Sequence, residues 1–427
     1  MKVTIEPGGI NGSIVAPASK SITQRAFAAA LLHKGTSTIY NAGNSSDEQA
    51  ALQIIKQLGA QVIGQEITGS TSTLTIKSNG IAPISDTIDC NESGLSARLF
   101  TPIAALHHTP IHITGHGSLL GRPIEGIDDL LPKLGITITN YNGYLPYTVC
   151  GPLSPVSTKL YAGGSSQLVS GILFAYAAAA TQPVMLQVAG LKSKPYIDLT
   201  LRVLEQFGKR IAHKNYREFY IDPANFTAVA SPSIYVEADW SSAACMLVAG
   251  AVAGSVTIAN LKQDSQQADR AILEVLQQAG AGISITADGI STFRNALRAF
   301  EFDATHCPDL FPALAVLAVF CQGDSRIMGV HRLFHKESNR IESIAEMLWS
   351  FGISFSVEDD TLCIEGGTRP GGTVIDSYND HRIVMAAAVC ALRAKSRVDI
   401  MGAEAVNKSY PDFFKDLASC GINCHTD

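Results

Sequence analysis

A repeat runs through the whole length of this chain and limits the folds that it can adopt. Six times, a cluster of small or polar residues leads directly into an Ala-rich apolar stretch, and successive clusters lie 67 to 76 residues apart. The clusters are centred on Lys20, Gly94, Ser166, Ser242, Asp309 and His381. Six amphipathic segments interleave with them, each closing on a glycine, at Gly59, Gly135, Gly208, Gly280, Gly352 and Gly421. Two independent series with one period predict six structural units built to one plan.

The pattern inside each unit indicates a small α/β module. Apolar residues spaced i, i+3, i+4 and followed by glycine are typical of a helix with a glycine C-cap. Short alternating or β-branched runs such as STIYNA, IHITG and RVDIMG lie between the helical segments and read as strands. The period is longer than that of the common solenoid repeats. We therefore expect two helices and several strands per unit, and two globular halves of three units, with the break near residues 231–237.

Length, charge and cysteine usage limit the class of protein. A chain of 427 residues exceeds one ordinary core, so two or more domains are expected. The net charge of −6 argues against a broad nucleic-acid or anionic-membrane surface. Nine cysteines without regular spacing indicate reduced thiols. The longest apolar stretch, residues 168–180, is too short to span a bilayer. The first ten residues lack a signal-peptide pattern. We expect a soluble, cytoplasmic protein.

Cationic side chains recur where the repeat places helix N-termini. Such an end carries free N–H groups and a partial positive charge, so a nearby cation costs from a few tenths to about 1 kcal/mol. The cations at or near these ends are Lys20, Arg25, Arg98, Arg122, Lys194, Lys336, Arg340, Arg382 and Lys408, with Arg122-Pro123 and the NKSYPD segment read as openings of second helices. An unfavourable placement that recurs predicts a bound anion that offsets it. Arginine can clamp carboxylate or phosphate with two bonds, and lysine acts as a point charge.

Acidic residues lie among these cations and suggest proton transfer. Asp309, Glu337 and Asp380 are candidates, because a carboxylate beside Lys or Arg can exchange protons with a bound substrate. His381 fits either a proton carrier or a structural residue at a helix start. The sequence leaves that choice open.

The histidine-rich segment LHHTPIHITGHG invites a metal site. Its alternation around Ile111–Thr114 instead predicts a strand beside a turn, with no acidic or cysteine partner at ligand spacing. The chain also lacks a P-loop and a dinucleotide-binding glycine fingerprint. We expect neither a metal nor an organic cofactor.

Eight motifs, taken together, resemble one enzyme family. They are SKSITQR, SGLSAR, GRPI, SSQ, SKPYID, HKESNR, NDHR and NKSYPDFF, and the likeness runs in order from Ile5 to Phe414. The set is similar to EPSP synthase, or 3-phosphoshikimate 1-carboxyvinyltransferase. The resemblance implies an inside-out α/β barrel pair, with two domains of three βαβαββ units each. It implies that residues 1–19 join 235–427 in one domain, that 20–234 form the other, and that the active site lies in the cleft between them.

The resemblance also implies a reaction. The enolpyruvyl group of phosphoenolpyruvate would move to the 5-hydroxyl of shikimate 3-phosphate, releasing phosphate by addition–elimination on the route to chorismate and the aromatic amino acids. These two small molecules would be the partners of a monomeric enzyme without a metal or organic cofactor. One alternative is the related transferase that acts on UDP-N-acetylglucosamine. Ser21 after Lys20, together with the SSQ and SKPYI elements, favours the shikimate enzyme. A non-catalytic anion-binding homologue is the other alternative, which Asp309 and Glu337 disfavour.

Roles follow from the resemblance, position by position. Shikimate 3-phosphate is expected at Lys20, Ser21, Arg25, Ser165, Ser166, Gln167, Ser193, Tyr196, Asp309 and Lys336, with Lys408 also placed near it. Phosphoenolpyruvate is expected at Lys20, Gly94, Arg122, Gln167, Arg340, Arg382 and Lys408. Asp309 would take the proton from the 5-hydroxyl. Glu337, assisted by Lys20 or Lys408, would handle the proton at the enolpyruvyl methylene.

The chain departs from the family pattern at a few positions. Glu92 stands where the family usually has Asn, and Leu95 where it usually has Thr. Asn339 stands where Asp is usual. A carboxylate beside a phosphate site is unfavourable unless it is paired or turned away.

Overall fold

The chain divides into two compact units. The computed structural model describes residues 1–162 and 166–427. One unit combines Met1–Pro17 with Ala238–Asp427, and the other is Ala18–Glu237. The expected boundaries fell after residues 19 and 234, within three residues of the division in the structure.

Each repeat unit contributes two α-helices, as the sequence predicts. The first helices are α1 (Lys20–Leu32), α3 (Gly94–Ala104), α5 (Ser166–Ala179), α7 (Trp240–Ala253), α9 (Phe311–Phe320) and α11 (His381–Ala391). The second helices are α2 (Ser46–Gln57), α4 (Ile127–Leu130), α6 (Pro195–Gln206), α8 (Ile272–Gln278), α10 (Arg340–Ser350) and α12 (Phe413–Ser419). The six glycines that close the second segments all have positive φ, between 73° and 109°, which confirms them as helix-ending residues.

The described strands form six four-stranded sheets, three in each unit. In the unit that holds both termini they are β1 (Lys2–Ile5), β2 (Ile10–Ile14), β15 (Gly254–Ile258), β16 (Gly282–Thr286), β17 (Gly289–Phe293), β18 (Glu301–Asp303), β19 (Asp324–Met328), β20 (Phe355–Glu358), β21 (Thr361–Glu365), β22 (Val374–Asp376), β23 (Val398–Met401) and β24 (Cys424–Thr426). In the other unit they are β3 (Gly35–Gly43), β4 (Gln61–Thr68), β5 (Thr71–Ser78), β6 (Thr87–Asp89), β7 (Ile111–Thr114), β8 (Thr137–Thr139), β9 (Tyr147–Cys150), β10 (Thr158–Tyr161), β11 (Val184–Ala189), β12 (Ala212–Lys214), β13 (Glu218–Ile221) and β14 (Ser233–Tyr235).

All six sheets share one pairing pattern. In order, each has one parallel contact followed by two antiparallel contacts, as in β6-β7-β9-β8 and β18-β19-β21-β20. In four sheets the parallel pair flanks its own first helix, for example β6, α3 and β7. The other two exchange a strand: β2 pairs with β15 rather than with β3, and β14 pairs with β3 rather than with β15. The exchange occurs where the chain passes from one unit to the other.

The apolar first helices form the core of each unit. Residues Phe311 to Val319 of α9 are all buried, and α7 and α11 pack against that helix. In the other unit α1, α3 and α5 contact one another. Small residues allow these contacts: a Cβ added to Gly171 would lie 2.5 Å from the carbonyl oxygen of Leu99. Since the sheets cover the helices, the arrangement is helix-inside and sheet-outside.

No helix in residues 1–162 and 166–427 is both long enough and apolar enough to cross a bilayer. The apolar stretch at residues 168–180 is instead the largely buried α5, as its length predicted.

Candidate active site

Lys20 is the first residue of α1, and its charge is balanced by an acid from the next helix. Its Nζ lies 2.8 Å from Oδ2 of Asp47, and both side chains are mostly buried. Asp47 sits in the first turn of α2. Asp47 has no distinguishing sequence signal, because an acid in the first turn of a helix is ordinary. The pair fixes the ammonium group of Lys20 at the start of α1.

Arg25 lies one turn further along α1 and is almost fully buried, with 1% exposure. Its hydrogen-bond acceptors among the described residues are neutral: Oγ1 of Thr200 at 2.9 Å, the carbonyl of Ser21 at 2.8 Å and the carbonyl of Tyr196 at 3.3 Å. Burial lowers the pKa of Arg25 to about 10. A buried guanidinium among neutral acceptors is incompletely compensated, so the position suits a bound anion.

Arg25 is also the end of a hydrogen-bonded chain that connects three helices. Oγ1 of Thr200 donates to Oγ of Ser170 at 2.7 Å, and that hydroxyl donates to the carbonyl of Ser166 at 2.8 Å. The chain links α1, α6 and α5. It therefore holds the start of α5, where two of the predicted binding residues lie, at a fixed place relative to Arg25.

Arg122 lies over the start of α3. Its side chain is 8% exposed, and its Nε and Nη1 atoms are buried without a hydrogen-bond partner among the described residues. A Cβ on Gly94, the first residue of α3, would lie 2.7 Å from Nη2 of Arg122. The prediction that Arg122 opens a helix is wrong: it follows a 3-10 turn, Gly117–Gly121, and α4 begins only at Ile127. A guanidinium over a helix N-terminus, with two of its nitrogens lacking a partner among the described residues, is suited to a phosphate or carboxylate.

The remaining predicted contacts of this unit lie at two helix starts. Ser166 and Gln167 are the first two residues of α5, and Tyr196 is the second residue of α6. Ser193 precedes α6, is buried, and has φ of +52°, which an L-residue adopts only at some energetic cost. Ser165 lies outside the described residues.

Glu48, which follows Asp47 in the first turn of α2, is a buried carboxyl within the electrostatic influence of Lys20. It accepts a hydrogen bond from the backbone N–H of Ser45 at 2.9 Å. Burial raises the pKa of Glu48 to about 7, although its hydrogen bonds and Lys20 oppose the shift. Because the pKa is higher in the folded than in the unfolded chain, this group destabilises the fold as pH rises from about 4.5 to about 7.

We therefore expect Glu48→Gln to stabilise the protein more at pH 8 than at pH 5. The difference between the two pH values should be about 2.5 kcal/mol, at about 1.4 kcal/mol per pKa unit. Chemical denaturation of both proteins at each pH measures it, with the exposed Glu66→Gln as the matched control. An effect of Glu48→Gln that does not change with pH would contradict the assigned pKa.

The other unit holds a compact charge cluster around Asp309. The carboxylate receives three cations: Lys336 Nζ at 3.2 Å and Arg340 Nη1 at 2.8 Å on Oδ1, and Arg382 Nη2 at 3.2 Å on Oδ2. Burial opposes ionisation of Asp309, but Arg382, Lys336 and Arg340 outweigh it and hold its pKa well below the usual value. Asp309 is therefore ionised at neutral pH.

Arg340, the first residue of α10, is fully buried and serves three acids. Besides Asp309 it contacts Asp380 through Nε at 2.9 Å, and Glu337 through Nη2. Asp380 also caps α11 by accepting from the backbone N–H of Arg382. Asp380 is thus engaged in structural hydrogen bonds, which disfavours its predicted role as a proton carrier. His381 is buried as the first residue of α11.

Arg382 and Lys408 complete the cluster. The guanidinium of Arg382 is 6% exposed, and its Nε has no hydrogen-bond partner among the described residues. Lys408 donates to the carbonyl of Asn379 at 2.7 Å. The prediction that Lys408 opens the second helix of its unit is wrong. It ends a 3-10 turn, Ala403–Lys408, and α12 begins at Phe413.

Asp269 is a further acid that the sequence analysis did not identify. It is 1% exposed and accepts a hydrogen bond from Ser241 at the start of α7. Burial first, and then the charge of Asp309, raise the pKa of Asp269 to about 7. No local signal marks it, because its proximity to Asp309 depends on the packing of separate segments.

The histidine-rich segment forms strand β7, as predicted. His116 pairs with Asp89 at 2.9 Å, and His112 hydrogen-bonds Thr148 at 2.7 Å. Within residues 1–162 and 166–427, no group of three or more His, Cys, Asp or Glu side chains is arranged to hold a metal ion.

Comparison with known proteins places the chain in a family. The profile of EPSP synthase (3-phosphoshikimate 1-carboxyvinyltransferase) matches residues 5–417. The chain belongs to the EPSP synthase family. Its relatives include the 3-phosphoshikimate 1-carboxyvinyltransferase of Clostridium novyi, 35% identical over 98% of this chain and 97% of the relative. That of Methanocorpusculum labreanum is 32% identical over 99% of both chains.

Solved structures of EPSP synthases agree with the fold. EPSP synthase from Acinetobacter baumannii matches with a TM-score of 0.80 at 25% identity, and the match covers 100% of both chains. The enolpyruvyl transferase NikO from Streptomyces tendae matches with a TM-score of 0.79 at 18% identity, over 99% of this chain and 98% of NikO, which shows a shared fold alone. The chain therefore has the two-domain inside-out α/β fold of EPSP synthases.

Proposed function

We propose that this chain transfers the enolpyruvyl group of phosphoenolpyruvate to the 5-hydroxyl of shikimate 3-phosphate, releasing phosphate. Membership of the EPSP synthase family supports this reaction. The main structural support is that Arg25 and Arg122 are buried guanidinium groups whose contacts among the described residues include no carboxylate. Substrates that together bear two phosphates and two carboxylates would supply the missing negative charge.

The proposal assigns shikimate 3-phosphate chiefly to the unit that contains α1. Arg25 and the hydroxyls of Ser21, Ser165, Ser166 and Ser193 would hold its anionic groups, and Gln167 and Tyr196 its ring side. The fixed chain from Arg25 to Ser166 supports this assignment, since it preorganises two of the contacts before the ligand binds. From the other unit, Asp309 and Lys336 would complete the set.

The proposed contacts to phosphoenolpyruvate depend on how far the positive charge of each cation is already balanced by acids. Arg122 above Gly94 would meet its phosphate, with Gln167 nearby. Arg382, whose Nε has no partner among the described residues, would bind the carboxylate together with Arg340. Arg340 already forms ion pairs with three acids, so it can bind the carboxylate only if one of those ion pairs breaks. Lys20 would touch both substrates, and Lys408 would lie beside them.

Asp309 is proposed as the base that takes the proton of the 5-hydroxyl. Its low pKa makes it ionised but only weakly basic before substrates bind. When the carboxylate of phosphoenolpyruvate engages Arg382 and Arg340, these cations hold Asp309 less strongly, and its pKa rises. The base would thus strengthen when the acceptor and donor are both present.

The proton at the methylene carbon is assigned to Glu337, with Lys20 or Lys408 assisting. Addition of the 5-oxygen and this proton to phosphoenolpyruvate forms a tetrahedral intermediate, and loss of phosphate and a methyl proton gives the product. The nearby cations would offset charge as it develops on the phosphate that leaves. This sequence of steps needs no metal or organic cofactor. A monomeric state and a cytoplasmic location complete the proposal; the second rests on the nine cysteines, all free thiols.

The function is tested by phosphate release from phosphoenolpyruvate. The purified protein is given phosphoenolpyruvate with shikimate 3-phosphate, or with UDP-N-acetylglucosamine at the same concentration. We expect release only with the first acceptor. Release with the second alone would assign the chain to the other transferase, and release with neither would contradict the proposal.

The closeness of Gly94 to Arg122 leads to a prediction about phosphoenolpyruvate. In Gly94→Ala the new methyl would lie 2.7 Å from Nη2, so the guanidinium must move. We expect KM for phosphoenolpyruvate to rise about tenfold with a smaller change in kcat, because a displaced phosphate contact weakens binding. Gly121→Ala is the matched control, since a Cβ there meets nothing within 4 Å. Equal KM values in both variants would contradict the role of Arg122.

A further inference from the structure

Arg122 owes its position to the turn that precedes it. Its Nε and Nη1 atoms have no partner among the described residues, so their contacts do not fix the side chain. Backbone hydrogen bonds fix the main chain from which that side chain extends: the N–H of Arg122 donates to the carbonyl of Leu119 at 3.1 Å, and the N–H of Leu119 donates to the carbonyl of His116 at 3.1 Å. Whatever holds the Gly117–Gly121 turn therefore also places Arg122.

Glu92 holds that turn from the loop before α3. Its Oε2 accepts two hydrogen bonds from Ser118, one from the backbone N–H and one from Oγ, both at 3.0 Å. The turn lies directly against the carboxylate: Gly117 has φ of +52°, and a Cβ there would lie 2.5 Å from Cδ of Glu92. Glycine at this position permits both the left-handed backbone and the close approach.

The same loop carries Gly94, against which the guanidinium of Arg122 packs. Glu92 immediately precedes Ser93, whose side chain caps α3 by accepting from the N–H of Ser96 at 3.2 Å. A second connection runs beside it, from the N–H of His116 to the carbonyl of Asn91 at 2.7 Å. The start of α3 and the turn before Arg122 are therefore connected by hydrogen bonds at two places, and the Glu92 carboxylate makes the bonds at one of them.

We propose that Glu92 is a positioning residue that sets Arg122 for the phosphate group of phosphoenolpyruvate. The inference rests on the proposed function for the identity of that ligand. It explains why a carboxylate is tolerated close to an anion site: its Oε2 is engaged by two donors of the turn. An acceptor oxygen at this position is what the arrangement requires, so a neutral amide should serve where a methyl group does not.

Kinetics separates positioning from a general structural role. In Glu92→Ala we expect KM for phosphoenolpyruvate to rise about tenfold, with kcat within about threefold of the unaltered protein, because binding geometry and not chemistry is disturbed. Glu92→Gln keeps an oxygen that can accept from Ser118 and should restore KM to within about threefold. Ser118→Ala, which removes one of the two bonds, should lie between them. The exposed Glu125→Gln controls for loss of a negative charge near Arg122.

Two further measurements do not depend on turnover. Inorganic phosphate titrated calorimetrically should bind Glu92→Ala about tenfold more weakly than the unaltered protein and Glu92→Gln. Amide hydrogen exchange at Leu119 and Arg122 should be at least about tenfold faster in Glu92→Ala alone. Unchanged phosphate affinity and exchange in Glu92→Ala would overturn the inference, as would Glu92→Gln behaving like Glu92→Ala. If the unaltered protein released no phosphate with shikimate 3-phosphate, the proposed function would fail, while these two measurements would still decide the role of Glu92.

Discussion

Asp309→Asn is expected to lower kcat by about 10²–10⁴-fold, the usual contribution of a positioned base. The amide has nearly the shape of the carboxylate but cannot accept the proton of the 5-hydroxyl. Phosphoenolpyruvate should bind at least as tightly as before, because Arg340 and Arg382 lose a competing anion. Phosphate release at saturating substrates measures kcat, and calorimetry measures the binding of phosphoenolpyruvate.

A nearby acid provides the control for Asp309→Asn. Asp303 is exposed, lies six residues earlier and accepts from the N–H of Thr305, so Asp303→Asn should leave kcat unchanged. A folded Asp309→Asn protein that retains kcat within about tenfold would remove Asp309 from the proton-transfer role. Loss of phosphoenolpyruvate binding with unchanged kcat would instead indicate a purely structural residue.

Lys20→Met is expected to lower kcat by about 10²–10³-fold, because the variant loses a cation proposed to contact both substrates as charge develops. The substitution also leaves Asp47 without the ammonium group that lies 2.8 Å from it. Removing one partner of a buried pair costs about 3–5 kcal/mol, and this pair is partly exposed, so a smaller loss of stability is expected.

A double variant separates the two effects of Lys20→Met. Lys20→Met with Asp47→Asn removes the uncompensated carboxylate. The free energy of unfolding should therefore return toward that of the unaltered protein, while kcat stays low. The exposed Lys77→Met controls for loss of a lysine. Recovery of kcat along with stability in the double variant would show that Lys20 acts only by holding the fold.

Much of the local structure was predictable because it depends on short-range chemistry. The six first helices begin within two residues of the centres of the small or polar clusters, since Ala-rich apolar runs after such residues form helices in most settings. The closing glycines at positive φ follow from the same rule. By contrast, the helix starts assigned to Arg122 and Lys408 were wrong, because 3-10 turns intervene at both places. Their sequences resemble helix openings, and the competition between the two turn types is decided by packing.

The candidate site was predictable as a set of residue types and not as a set of contacts. The recurring cations at helix starts implied an anion, and the family motifs assigned each cation a ligand. The partners came only with the structure. Lys20 and Asp47 are 27 residues apart, Asp309 and Arg382 are 73 apart, and Arg25 and Thr200 are 175 apart. Such pairs have no local sequence signal. Asp47, Asp269 and the hydrogen bonds from Ser118 to Glu92 were therefore not predicted.

The six-fold repeat, the two helices of each unit and the concentration of cations at helix starts can all be read from the residues in order. These depend on periodicity, capping and residue type within a few turns of chain. The pairing of β2 with β15 and of β14 with β3, and the acid partner of each cation, are visible only in the folded protein. Strand exchange and charge pairing depend on distances between residues far apart in the chain, and those distances exist only once the units have packed.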